Sequence, residues 1–280
     1  MTTHRFGWTN ELWPLLGQGT WMIEQDPEER AIAALRLGIE LGMTLIDTAE
    51  MYGNGRAEEI VGKAIEGCRE GLYLVSKVLP SNATYDGTRR SCERSLQRLG
   101  IDQLDLYLLH WPGSHPITET MRGLESLVRD GLTRYIGVSN FDVDDLERAR
   151  RALRNERLAC NQVLYCLQDR GIERRLIRYC ESHEIAVMGY SPFGHGDFPR
   201  RDSPAGRALI EIGRRHGKTS RQVVLNFLMR DRVSAIPKSG NPDHVRENAG
   251  AVGWRLTEED IREIDRHFPA PDHDVPLGMI

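Results

Sequence analysis

Short apolar runs alternate with longer amphipathic stretches along almost the whole chain. Runs at 16–21, 44–48, 73–77, 105–110, 135–139, 159–162, 186–191 and 233–237 have strand length, and the stretches between them have helical length. Such alternation implies parallel strands joined by crossover helices. The helices are expected to start near Pro27, Arg56, Thr84, Pro116, Asp142, Ile172, Ala205 and Pro242. Asp26 before Pro27 and Asn241 before Pro242 read as caps with proline at the first helical position. Thr257, with Asp260 three residues later, opens one further helix beside the barrel. Residues 6–14 carry turn signals at Thr9 and Asn10 and predict a hairpin over the closed end. Eight strand–helix units predict a (β/α)8 TIM barrel, residues 1–280 as one domain, with an N-terminal β-hairpin and an extra C-terminal helix.

Composition narrows the function classes. The chain has 280 residues, 40% of them hydrophobic, enough for one barrel core. Its net charge of −4 is spread without long blocks, so nucleic acid is not expected as a partner. Arginine-rich stretches at 148–154 and 174–175 are interleaved with acids and leucines and read as solvated helix faces. No run is long enough to span a membrane, and the first residues show no apolar signal region. The five cysteines lack C-x-x-C spacing and are expected to be reduced, which points to the cytoplasm.

The chemistry gathers at strand ends. Asp47 closes one apolar run, Tyr52 follows in a turn with Gly53, Asn54 and Gly55, Lys77 ends the next run and His110 the one after. In a barrel all such points face one mouth, where catalysis is found. A phenol can give a proton, an ammonium favours its phenolate and so lowers its pKa, and a carboxylate holds the ammonium. Ser139 and Asn140 stand at one strand exit, and Asn161 and Gln162 at another; such groups can grip a carboxamide. Tyr190 can stack on a flat ring, and Lys238 with Ser239 before a helix start can hold an anion. Carboxamide, ring and phosphate are the parts of a nicotinamide dinucleotide. Each residue also has an ordinary reading: Asp47 and Lys77 as an internal ion pair, Tyr52 as a surface aromatic, His110 as a core histidine, Asn140 and Gln162 as backbone partners, Lys238 as a loop charge.

Taken in order, the segments resemble the aldo-keto reductases over nearly the whole chain. The stretches are 17–21, 46–53, 76–77, 109–112, 136–141, 161–162, 190–192, 236–239 and 247–248. The likeness is strongest to small bacterial members that reduce methylglyoxal and related aldehydes. The resemblance implies Asp47, Tyr52, Lys77 and His110 as the catalytic set. It implies cofactor contacts from Gly19, Thr20, Trp21, Asp47, Ser139, Asn140, Gln162, Tyr190, Ser191, Phe193, Lys238, Ser239, His244 and Asn248. Substrate would meet Trp21, Met22, Met51, Tyr52, His110 and Trp111, with no metal. NADPH is the expected cofactor, with NADH possible, because His244 stands where many members carry an arginine for the 2′-phosphate. A brief loop after His110 and a short tail after residue 268 imply an open pocket, and the family default is a monomer. Two rival readings are a metal-dependent barrel hydrolase, for which His110 is the only strand-end histidine, and a non-catalytic NADP-binding module of the same fold.

Overall fold

The computed structural model describes residues 2–280. Strands β1 (Thr3–Arg5) and β2 (Leu12–Pro14) form an antiparallel hairpin, longer at its N-terminal side than the sequence suggested. The remaining strands are β3 (Gln18–Gly19), β4 (Leu45–Asp47), β5 (Tyr73–Val78), β6 (Leu104–Leu109), β7 (Thr133–Ser139), β8 (Leu158–Leu164), β9 (Ala186–Tyr190) and β10 (Ser234–Ile236). They pair in parallel, in chain order. Leu16 bridges Ala235 and Gly19 bridges Lys238, so β3 meets β10 and the barrel closes. A Cβ at Gly19 would stand 2.6 Å from the Ile236 carbonyl oxygen, so this approach requires glycine. The expected barrel, hairpin and additional C-terminal helix are all present.

Helices α1 (Glu28–Glu40), α2 (Arg56–Ile65), α3 (Tyr85–Leu99), α4 (Ile117–Arg129), α5 (Val143–Ala152) and α6 (Leu176–Ser182) follow successive strands. Two helices, α7 (Pro204–His216) and α8 (Ser220–Leu228), lie between β9 and β10, where the sequence marked a single start. Gly217 at φ 63° stops the first, and a Thr219–Gln222 capping box starts the second. Asn241 caps α9 (Pro242–Ala249) through the Asp243 N–H, and Thr257 and Asp260 form a capping box on α10 (Glu258–His267), as their spacing predicted. Asp26 departs from expectation. It caps nothing: Pro27 is the N-cap of α1, and the Asp26 carboxylate pairs with Lys238 instead.

Strand alternation divides the core. Leu45, Val75, Leu106, Leu108, Met188 and Ile236 fill the barrel interior, while Ile46, Leu74, Tyr107 and Val138 face the helices. Phe6 and Trp13, stacked at 3.7 Å, close the interior at the hairpin end. His4 bonds Ser234, Trp8 donates to the Leu158 carbonyl and Tyr73 to the Leu12 carbonyl, pinning the hairpin under the strand N-termini. The opposite mouth is left to polar groups. No helix among the described residues is long and apolar enough to cross a membrane.

Candidate active site

Asp47 is the last residue of β4 and Lys77 the penultimate residue of β5. Their side chains turn into the barrel, whereas Ser76 turns outward and donates to Glu58 at 2.5 Å. Lys77 Nζ lies 2.7 Å from Asp47 Oδ2, 2.8 Å from the Thr48 carbonyl oxygen and 3.2 Å from the Tyr52 hydroxyl. Its three donors are therefore all used. Gln162 donates to the second oxygen of Asp47 at 2.6 Å. Tyr52 is delivered by a tight turn in which Gly53, Asn54 and Gly55 have φ of 55°, 54° and 90°, values suited to glycine and asparagine. Glu50 anchors the same loop by accepting from the Leu79 N–H and the Asn82 amide.

Burial dominates the electrostatics. It pushes the Asp47 carboxyl up and the Lys77 ammonium down, and each is held back by the other's charge. Burial, followed by the negative charge of Asp47, pushes the Tyr52 phenol well above its ordinary range. This reverses the sequence-based expectation that Lys77 lowers it. Closing the phenol off from water outweighs the ammonium beside it. His110, the residue after β6, is lowered to about 2, first by burial and then by Lys77, so its imidazole is neutral. Its Nδ1 is buried with no partner.

Asp47, Tyr52 and His110 line a cleft at the C-terminal mouth, and Lys77 lies fully buried behind them. Gly19, Thr20, Trp21, Ser139, Asn140, Gln162, Tyr190, Ser191 and Lys238 also line it, together with Met51 and Trp111. Asn140 and Ser191 leave their strands at φ 59° and 50°, sharp exits that turn both residues toward the cleft. The Asn140 amide donates to the His110 carbonyl oxygen at 3.1 Å and accepts from the Tyr190 hydroxyl at 2.8 Å. Asn161 does not join this set: its amide bonds the Phe141 carbonyl oxygen on the other face of β8.

Besides Lys77, five expected residues lie outside the cleft lining. Met22 has a left-handed φ of 63° and is exposed, so it does not wall the pocket. Phe193 packs edge-on against Phe198 beneath the Arg221 guanidinium. Ser239 accepts from the Asn241 N–H, Asn248 is buried, and His244 is exposed on α9. In the other direction, Ile236, Met279 and Ile280 line the cleft without having been anticipated. The tail reaches the mouth because Asp274 pairs with Arg174 and Arg175 and Leu277 packs on the core. Tail length alone gave no sign of that path. His195 stacks on Trp21 at 5.2 Å, bringing the segment after β9 across one side of the mouth. No group of three or more His, Cys, Asp or Glu side chains suited to a metal occurs among the described residues.

A parallel barrel with polar side chains converging at its C-terminal mouth is the frame of many barrel enzymes. The sequence model of the Aldo/keto reductase family matches residues 15–268, and the chain belongs to that family of oxidoreductases. It is 42% identical to methylglyoxal reductase YeaE of Escherichia coli, with 95% of each chain covered. It is 35% identical to the glyoxal reductase of Bacillus subtilis, with 92% of each covered. An aldo-keto reductase from Klebsiella pneumoniae, solved in complex with NADPH, superimposes with a TM-score of 0.93 at 41% identity over 99% of both chains.

Proposed function

We propose that this protein reduces small aldehydes and ketones to alcohols, α-dicarbonyls of the methylglyoxal kind among them, with NADPH preferred and NADH accepted. The observation that carries this reading is Lys77 Nζ set between Asp47 at 2.7 Å and the Tyr52 hydroxyl at 3.2 Å, buried directly behind the cleft. The residues present fit a nicotinamide dinucleotide. Ser139, Asn140 and Gln162 offer hydroxyl and amide groups, Tyr190 offers an aromatic ring, and Lys238 offers a cation in the same cleft. When bound, the dinucleotide supplies a hydride to the carbonyl carbon.

The chain's own residues supply the proton and the placement. The raised pKa keeps the Tyr52 phenol protonated across the neutral range, so the acid is always loaded. As the carbonyl oxygen becomes basic it takes that proton, and the phenolate left behind faces the Lys77 ammonium. Asp47 keeps the ammonium aimed at the phenol. Neutral His110, which lines the cleft edge-on to the Tyr52 ring, orients the carbonyl oxygen toward Tyr52. Trp21, Met51 and Trp111 exclude water from the reacting groups. The names of the two relatives support the substrate class, and the Klebsiella complex supports the cofactor.

The test is a panel of aldehydes, methylglyoxal included, with consumption of NADPH followed by absorbance. Turnover with small aldehydes is expected. Tight NADPH binding with no consumption on any substrate would favour a non-catalytic dinucleotide-binding module of the same fold.

A further inference from the structure

We propose that Asp26, through its ion pair with Lys238, sets the choice between NADPH and NADH by favouring the unphosphorylated ribose. The inference rests on the dinucleotide reading above, and takes Lys238 as the cation that would meet the 2′-phosphate.

Asp26 Oδ2 lies 2.5 Å from Lys238 Nζ, with about a third of each side chain exposed (32% and 33%). The contact is built on both sides. Gly240 leaves room for the carboxylate, since a Cβ there would stand 2.2 Å from Asp26 Oδ2. The Asp26 N–H donates to the Ile23 carbonyl oxygen at 3.1 Å, and Pro27 follows at φ −54°, which holds the backbone. The carboxylate serves no helix cap; Lys238 is its hydrogen-bond partner among the described residues.

The two dinucleotides meet this pair differently. A ribose 2′-hydroxyl can donate to a carboxylate, which is how acidic residues favour NADH in other dinucleotide sites. A 2′-phosphate carries a charge of roughly −1.5 to −2 and offers chiefly acceptor oxygens. It must draw Lys238 away from Asp26 or lie against a like charge. His244, exposed on the first turn of α9, adds no permanent charge to offset that repulsion. Lys238 therefore attracts NADPH while Asp26 opposes it, and acceptance of both cofactors follows.

The test compares the wild type with Asp26→Asn, which keeps shape and removes charge. Affinities for NADPH, NADH, 2′-phospho-AMP and AMP are read from quenching of tryptophan fluorescence, with Trp21 in the cleft as reporter. Asp26→Asn should tighten NADPH and 2′-phospho-AMP by roughly 3- to 10-fold and leave NADH and AMP unchanged or slightly weaker. The gain should shrink at high salt. Asp26→Ser should shift the ratio in the same direction, which guards against a folding defect in one variant. Equal shifts for the phosphorylated and unphosphorylated ligands, or no shift, would overturn the proposal while leaving the dinucleotide reading intact. A wild type that binds neither dinucleotide would overturn both.

Discussion

Lys77 Nζ stands 2.7 Å from Asp47 Oδ2, and neither side chain has meaningful contact with solvent. A pair this deeply buried is destabilising when only half of it is removed, because the remaining charge has no partner. Lys77→Met should therefore lower stability by about 3–5 kcal/mol, measured by urea unfolding, besides suppressing turnover. The double variant Asp47→Asn/Lys77→Met should be less destabilised than Lys77→Met alone. A double variant that simply adds the two single losses would argue that the pair is not coupled.

Tyr52→Phe keeps the ring and its packing and removes the proton donor. Carbonyl reduction should fall roughly 10²- to 10⁴-fold, with NADPH affinity nearly unchanged in a fluorescence titration. Near-normal turnover in the Phe variant would assign the acid to another group.

The lowered pKa of His110 predicts a pH dependence of stability. The ordinary value is 6.5 and the folded value about 2, so below pH 6.5 the unfolded chain takes up a proton that the native state refuses. Stability should thus fall as pH drops from 6.5 toward 2, with His110 contributing about 2 kcal/mol of loss at pH 5. His4, lowered to about 4 by burial and Arg232, adds a loss of the same sign. His110→Asn should flatten the fall in urea midpoint between pH 7 and 5. Parallel curves for variant and wild type would show that His110 already titrates in the folded protein.

His244→Arg should sharpen the preference for NADPH over NADH. The side chain is exposed on the first turn of α9, where a guanidinium can reach an anion near Lys238. Turnover at saturating NADPH should hold. Unchanged selectivity in paired Kd measurements would mean that position 244 faces away from the ribose.

Much of the frame was legible from the chain alone. All eight strand segments, the hairpin and the Asn241 and Thr257 caps follow from apolar runs and short-range spacing, which act within a few residues. The gathering of Asp47, Tyr52, Lys77 and His110 was legible for the same reason: residues at successive strand ends must share one mouth once the strands run parallel.

What depended on tertiary structure was which neighbour faces the cleft and which partner each charge finds. Asn161 and Gln162 are adjacent and chemically alike, yet one bonds Phe141 on the helix side and the other Asp47 in the barrel. Strand alternation demands that they part, but only the closed barrel decides which turns inward. Asp26 read as a cap from its local spacing and instead met Lys238, 212 positions away. The Tyr52 phenol was expected to be lowered by its lysine and is raised by burial, a quantity no local pattern encodes. Met279 and Ile280 reach the cleft along a path fixed by ion pairs and packing far from their own segment. The sequence by itself determined which groups would be present at the mouth; solvent exclusion and long-range contacts, which exist only in the folded barrel, decided their partners and their protonation.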